Sequence, residues 1–202
     1  MSTMVTTSRK RAYGGRPLMA AAVALLVLQS VQAVAEQTPT LTVREARGVY
    51  TVSARFVVDQ SAAVVLNVLT DYAEIPRFLP DVRTSVVRER GAGWAVVEQE
   101  AASGLMMFSK RVHLVLEIQE QPDALLFRDL CGRSFARYEG AWRLSQQGGQ
   151  TVIDYELTAQ PTFDVPGWML KRVARRDSAE MIGRLQREIA GRGLARAPQS
   201  AK

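Results

Sequence analysis

From Tyr50 to Val58 the chain reads YTVSARFVV, with Tyr50, Val52, Ala54, Phe56 and Val58 in one phase and Thr51, Ser53 and Arg55 in the other. A period of two predicts a half-buried strand. The period then changes. In SAAVVLNVLTDY the residues Val64, Val65, Val68 and Leu69 recur at helical spacing behind Asp59 or Ser61 as the capping residue, so a short helix is predicted. In DYAEIPRFLP, residues 71–80, Pro76 and Pro80 forbid a long regular continuation, which limits Tyr72 to Phe78 to two turns with a stiff exit.

Alternation resumes beyond this corner. Strands are predicted near Arg83 to Arg90, Trp94 to Ala101, Met107 to Gln119, Ala124 to Cys131, Phe135 to Ser145 and Thr151 to Gln160. Short turn signals separate them, among them Gly91-Ala92-Gly93, Gln121-Pro122-Asp123 and Gly148-Gly149. Links this short imply an antiparallel meander. Behind Pro166 the period returns to 3.6: Leu170, Val173, Ala174, Met181, Leu185 and Ile189 form an apolar stripe on one long helix. A sheet with one apolar face and a helix with one apolar stripe bury each other. The predicted fold is therefore α+β, a curved antiparallel sheet of about seven strands wrapped on a long C-terminal helix, with two short helices after the first strand.

The N-terminal residues follow a different logic. Arg9, Lys10, Arg11 and Arg16 form a basic leader, an apolar run extends from Leu18 to Leu28, and Ala33-Val34-Ala35 supplies small residues at a cleavage point. Residues 1–35 are thus predicted to be a secretory signal peptide cleaved near Ala35, which makes the mature protein exported and periplasmic. Residues 36–47 are expected to be an N-terminal extension, 48–191 the folded domain, and 192–202 a disordered tail. Removing the leader leaves 22 Lys+Arg against 20 Asp+Glu. Residues 166–202 carry nine of those basic groups and only three acidic ones, so the C-terminal helix could meet an anionic membrane surface. Export argues against a nucleic-acid partner.

Four stretches together resemble the START-like (SRPBCC, helix-grip) superfamily, and within it the polyketide cyclase/dehydrase and coenzyme Q-binding group. They are YTVSARFVVDQSAAVVLNVLTDYAEIPRFLPDV, YEGAWRL at 138–144, VIDYEL at 152–157 and FDVPGWMLKRV at 163–173. The resemblance spans roughly residues 48–190. It implies a cavity between the concave sheet and the long helix, closed at one end by the short helices. The periodicity supplies an apolar inner face for such a cavity. Its candidate lining is Phe56, Val112, Leu114, Trp142, Tyr155 and Leu157 from the sheet and Tyr72, Ile75, Phe78 and Leu79 from the proline corner. Tyr138 is expected as an inward polar handle, and Trp168, Met169 and Val173 come from the start of the long helix.

Reactive groups are sparse by comparison. His113 falls on the polar side of its strand, between Arg111 and Val115, and Cys131 is the only cysteine, so neither an intramolecular disulfide nor a Cys/His zinc pattern can form. Glu98 with Glu100, and Asp154 with Glu156, are paired carboxylates. The second pair opposes the apolar face, and the first would act as acid/base only if it turned inward with Trp94 and Val96. No glycine-rich phosphate loop or Ser/His/Asp arrangement is present, and neither catalytic residues, a metal nor a cofactor is expected. The sequence reads as an exported binder of a hydrophobic small molecule, a lipid or an isoprenoid quinone-like compound, with a polyketide cyclase/aromatase-like enzyme as the alternative.

Overall fold

The computed structural model describes residues 38–105 and 108–196. The predicted signal peptide, and residues 197–202 of the predicted tail, lie outside them. Eight antiparallel strands form one sheet: β1 (Thr40–Ala46), β2 (Val49–Val58), β3 (Val82–Gly91), β4 (Trp94–Leu105), β5 (Phe108–Glu120), β6 (Ala124–Asp129), β7 (Phe135–Gln147) and β8 (Gln150–Pro161). Their order is β1-β2-β8-β7-β6-β5-β4-β3, so β2 crosses to pair with β8 and the rest is a meander. Helix α1 (Ala62–Leu69) follows β2, a single 3-10 turn at Tyr72–Glu74 leads into α2 (Ile75–Phe78), and α3 (Gly167–Arg196) is the last element among the described residues.

Local chemistry accounts for these boundaries. Ser61 caps α1, its hydroxyl accepting from the Val64 amide, and Pro76 sits in the first turn of α2, where its missing N–H leaves no bond unmade. Gly148 and Gly149, both at positive φ, form the two-residue turn that matches the twist of β7 and β8.

Two expectations are corrected here. The stretch 36–47 is not a mere extension, because Thr40–Ala46 is an edge strand pairing with all of Val49–Arg55, which makes eight strands rather than about seven. Arg47 and Gly48 at positive φ make its hairpin turn, and Val43 is its buried anchor. The expected tail is also shorter than 192–202. Helix α3 continues through Arg196, held by ion pairs of Arg192 with Glu188 and with Asp71, both at 2.7 Å.

The core lies between the concave sheet face and α3. Val52, Phe56, Val65, Val68, Val97, Ile153, Ile182 and Ile189 are fully buried there. Packing is uneven along α3, which would be about 45 Å long at 1.5 Å per residue. Its C-terminal half buries Ile182, Leu185 and Ile189, whereas the inner face of its N-terminal half, after Leu170 and Val173, carries Ala174, Asp177 and Ser178. Small and polar side chains cannot fill the space that isoleucines would.

Candidate functional site: a two-chambered cavity

That unfilled space is the candidate site. One chamber, about 240 Å³, lies along the N-terminal half of α3 and is lined by Tyr50, Val112, Leu114, Leu157, Phe163, Leu170 and Val173 among others. A second, about 140 Å³, lies beneath the proline corner between Tyr72, Ile75 and Phe78 on one side and Leu116, Ile118 and Trp142 on the other. Leu79, Gln99, Tyr138, Tyr155 and Met181 belong to both, so the chambers adjoin. Together they reach the lower end of the roughly 300–1,000 Å³ usual for small-molecule sites.

Three tyrosines from three strands, Tyr50, Tyr138 and Tyr155, line the larger chamber, the last two on the wall it shares with the smaller. The hydroxyls of Tyr50, Tyr138 and Tyr155 are close enough that ionising one would disfavour ionising another. Burial is the main cause of their raised pKa values: it pushes Tyr138 up to about 12, with the charge of Asp129 adding to it, and Tyr155 well above the ordinary phenol range. Tyr50 is raised in the same way, with Tyr138 and Asp177 as lesser contributors. At neutral pH the wall is therefore made of uncharged hydroxyls. Trp142 stacks on Tyr155 with ring centroids 4.2 Å apart, and Phe135 holds Tyr138 at 4.9 Å. Gln99 adds an amide whose N–H donates to the Ser85 hydroxyl at 3.1 Å.

Linkage gives these phenols a measurable signature. A tyrosine ionising less readily in the fold than in the unfolded chain stabilises the fold below about pH 10, and that contribution is lost as pH rises through the folded values. Tyr72 belongs to the same set: burial raises it, the hydrogen bond to Glu120 adds to this, and Arg90 works the other way. Titration of phenolate absorbance near pH ~11 is expected to show these four tyrosines largely silent until denaturant is added. Ordinary titration in the native protein would contradict the burial of the wall.

The proline corner closes the smaller chamber and is tied down at both ends. The Tyr72 hydroxyl donates to Glu120 at 2.9 Å, Arg90 pairs with Glu120 at 3.1 Å, and the Arg90 guanidinium lies 5.5 Å from the centre of the Tyr72 ring. On the other side Arg77 bridges Glu74 and Glu188, while Arg192 bridges Glu188 and Asp71, so α2 and the preceding turn are linked to α3. Burial opposes the ionised form of Glu188, but hydrogen bonds from Arg192 and Arg77 outweigh it and hold the carboxyl below its ordinary range.

Of the fourteen residues expected to line a cavity, eleven do: Tyr72, Ile75, Phe78, Leu79, Val112, Leu114, Tyr138, Trp142, Tyr155, Leu157 and Val173. Phe56 does not. It is 1 % exposed, opposite Ile153, at the end of β2 where Gln186 of the tightly packed half of α3 donates to the Val57 carbonyl. Trp168 and Met169 do not line it either. Leu170 and Val173 take the inner face of α3, and two residues of helical rotation from Leu170 carry Trp168 outward, where it is 72 % exposed.

The polar residues not anticipated include Tyr50, Asp81, Gln99, Asp177, Ser178 and Arg184, all on the wall of the larger chamber. Period two was the available signal for Gln99, which is in phase with Ala95, Val97 and Ala101. Asp177 and Ser178 follow Leu170 and Ala174 at helical spacing.

The other polar candidates lie on the outer face. Glu98 and Glu100 do share a side with Trp94 and Val96, but that side is the wet one: Glu98 pairs with Arg88, and His113 lies 3.5 Å from Glu98 and 3.9 Å from Glu100. Asp154 and Glu156 pair with Arg55 and Arg143. The Cys131 thiol is directed at the Asp129 carboxylate, 3.3 Å away. Among the described residues no cluster of His, Cys, Asp and Glu could hold a metal ion.

Residues 58–186 match the sequence profile of the family described as polyketide cyclase/dehydrase and lipid transport. The chain belongs to that family. No curated protein matches it in sequence. Among solved structures, the polyketide cyclase/dehydrase and lipid transport chain is similar to the ZhuI aromatase/cyclase from Streptomyces sp. R1128, at TM-score 0.64 and 17 % identity over 76 % of this chain and 99 % of that one. It is also similar to the STAR-related lipid transfer protein from Xanthomonas axonopodis, at TM-score 0.61 and 14 % identity, covering 75 % and 98 %. Human STARD10 follows at TM-score 0.60 and 12 % identity, covering 74 % and 73 %. At such identities the likeness establishes the helix-grip fold and leaves the ligand to be argued from the cavity.

Proposed function

We propose that this protein binds a hydrophobic small molecule, of the lipid or isoprenoid quinone-like class, in the cavity between sheet and α3. The cavity carries this reading: apolar side chains make most of both chambers, and the polar wall offers uncharged tyrosine hydroxyls and the Gln99 amide, with Asp177, Ser178 and Arg184 also on the larger chamber. Such a wall suits a carbonyl- or hydroxyl-bearing head group, with an apolar portion extending under Phe78 and Leu79. A quinone ring or a single-chain lipid fits two chambers of this size, whereas a diacyl lipid would require the corner to open. The leader and the small-residue cleavage point support action in the periplasm after loss of residues 1–35. The basic face of α3 further supports peripheral contact with an anionic membrane.

Cyclisation of a polyketide-like chain is the second reading, favoured by the three converging hydroxyls, which could hold successive carbonyls in one conformation. Titration with a short-tailed benzoquinone separates the two. Trp142 lines the smaller chamber, so saturable one-to-one quenching of its fluorescence is expected, and removed by Trp142→Phe. Quenching that rises linearly without saturation would overturn the binding reading. Turnover of a poly-β-ketone mimic without ligand retention would favour the second.

A further inference from the structure

We infer that the first three turns of α3 form the surface on which the protein docks to an anionic lipid bilayer. The inference rests on the membrane contact proposed above and assigns it a place. Trp168 is 72 % exposed, an unusual position for the largest apolar side chain. Lys171, Arg172, Arg175 and Arg176 are exposed too, and spacings of three, four, seven and eight from Trp168 put all five on one side of the helix. None of the four enters an ion pair seen among the described residues, whereas Arg184 and Arg192, further along, are paired with Glu180, Glu188 and Asp71. The acidic groups nearby are Glu45 beside Gly167, exposed Asp164, Asp177 on the chamber wall, and Glu180, whose carboxyl is held low chiefly by Arg184 and in part by Arg176. They leave the exposed side cationic.

The two components answer different parts of a bilayer. Indole settles at the interface between head groups and acyl chains, and each basic side chain near an anionic surface strengthens binding by roughly fivefold. One apolar anchor with a polybasic patch is the two-signal arrangement that stable peripheral binding needs. No helix among the described residues is long and apolar enough to cross a membrane, so these residues make a surface contact. The opposite side of the same turns, Leu170 and Val173, lines the larger chamber, as does Phe163 just before the helix. Docking through the exposed side therefore leaves α3 itself between the bilayer and that chamber.

Cosedimentation of the predicted mature chain, residues 36–202, with vesicles tests this, because the basic leader and its apolar run would bind vesicles by themselves. Binding to phosphatidylcholine vesicles containing about one-third phosphatidylglycerol is expected to fall at least ~25-fold in Arg172→Glu/Arg176→Glu. A loss of about tenfold is expected in Trp168→Ala, and salt near ~0.5 M should remove most binding to the wild type. Arg187→Ala, exposed further along the same helix, is expected to bind within about twofold of wild type. Brominated acyl chains should quench tryptophan fluorescence in Trp94→Phe but not in Trp168→Phe. These side chains are exposed, so melting temperatures are expected to stay near wild type and unfolding would not explain a loss. Vesicle binding that persists in both α3 variants overturns the assignment of this face and spares the membrane contact. If even the wild type ignores anionic vesicles, or RNA alone is bound, both are overturned.

Discussion

Phe56→Ala is expected to destabilise the protein by about 3–5 kcal/mol, because the ring lies in the closed part of the core, where its removal leaves a cavity that packed neighbours cannot fill. For a domain of this size that corresponds to a fall in melting temperature of roughly 10 °C or more. Phe78→Ala removes the same side chain from a different setting. Phe78 is only partly buried and faces a chamber that is already open, so its loss creates little new void. About 1 kcal/mol of stability should go, together with a change in ligand uptake of about tenfold or more. Thermal unfolding and ligand titration of both variants decide the matter. Equal destabilisation with unchanged uptake in Phe78→Ala, or in Leu79→Ala beside it, would mean that the corner is only core.

Ala174→Trp is expected to abolish uptake, by at least ~100-fold, while leaving the fold intact. Ala174 lies on the inner face of α3 against the larger chamber, and an indole there would occupy much of its roughly 240 Å³. Filling a void without displacing neighbours often stabilises, whereas overfilling costs about 1–3 kcal/mol. The outcome is read as uptake against stability: lost binding with a melting temperature within a few degrees of wild type places the ligand in this chamber. Undiminished binding in a folded Ala174→Trp protein would move the site elsewhere.

Much of this was legible because the strands keep strict alternation. Val112 and Leu114, Tyr155 and Leu157 fell on the inner face by parity alone, and DYAEIPRFLP could only be a compact corner once its two prolines barred a strand and any long helix. The edge strand Thr40–Ala46 was hidden because only Leu41, Val43 and Ala46 are apolar in it and its hairpin turn uses Arg47 beside Gly48. Trp168 misled for an energetic reason: an indole is usually core, and only the rotation of α3, fixed by Leu170, Ile182 and Ile189, turns it to solvent. Part of the polar wall was missed because Gln99, Asp177 and Ser178 interrupt apolar phases. In such a phase a polar residue reads as noise until the cavity gives it a partner.

The most direct measurement is the mass of the native protein as purified from the cells that make it, followed by solvent extraction of whatever it holds. One apolar molecule per chain is expected, bearing a carbonyl or hydroxyl and absent from Ala174→Trp prepared in parallel. Wild type that is consistently empty, or an equal load in both proteins, would contradict a ligand held between the sheet and α3.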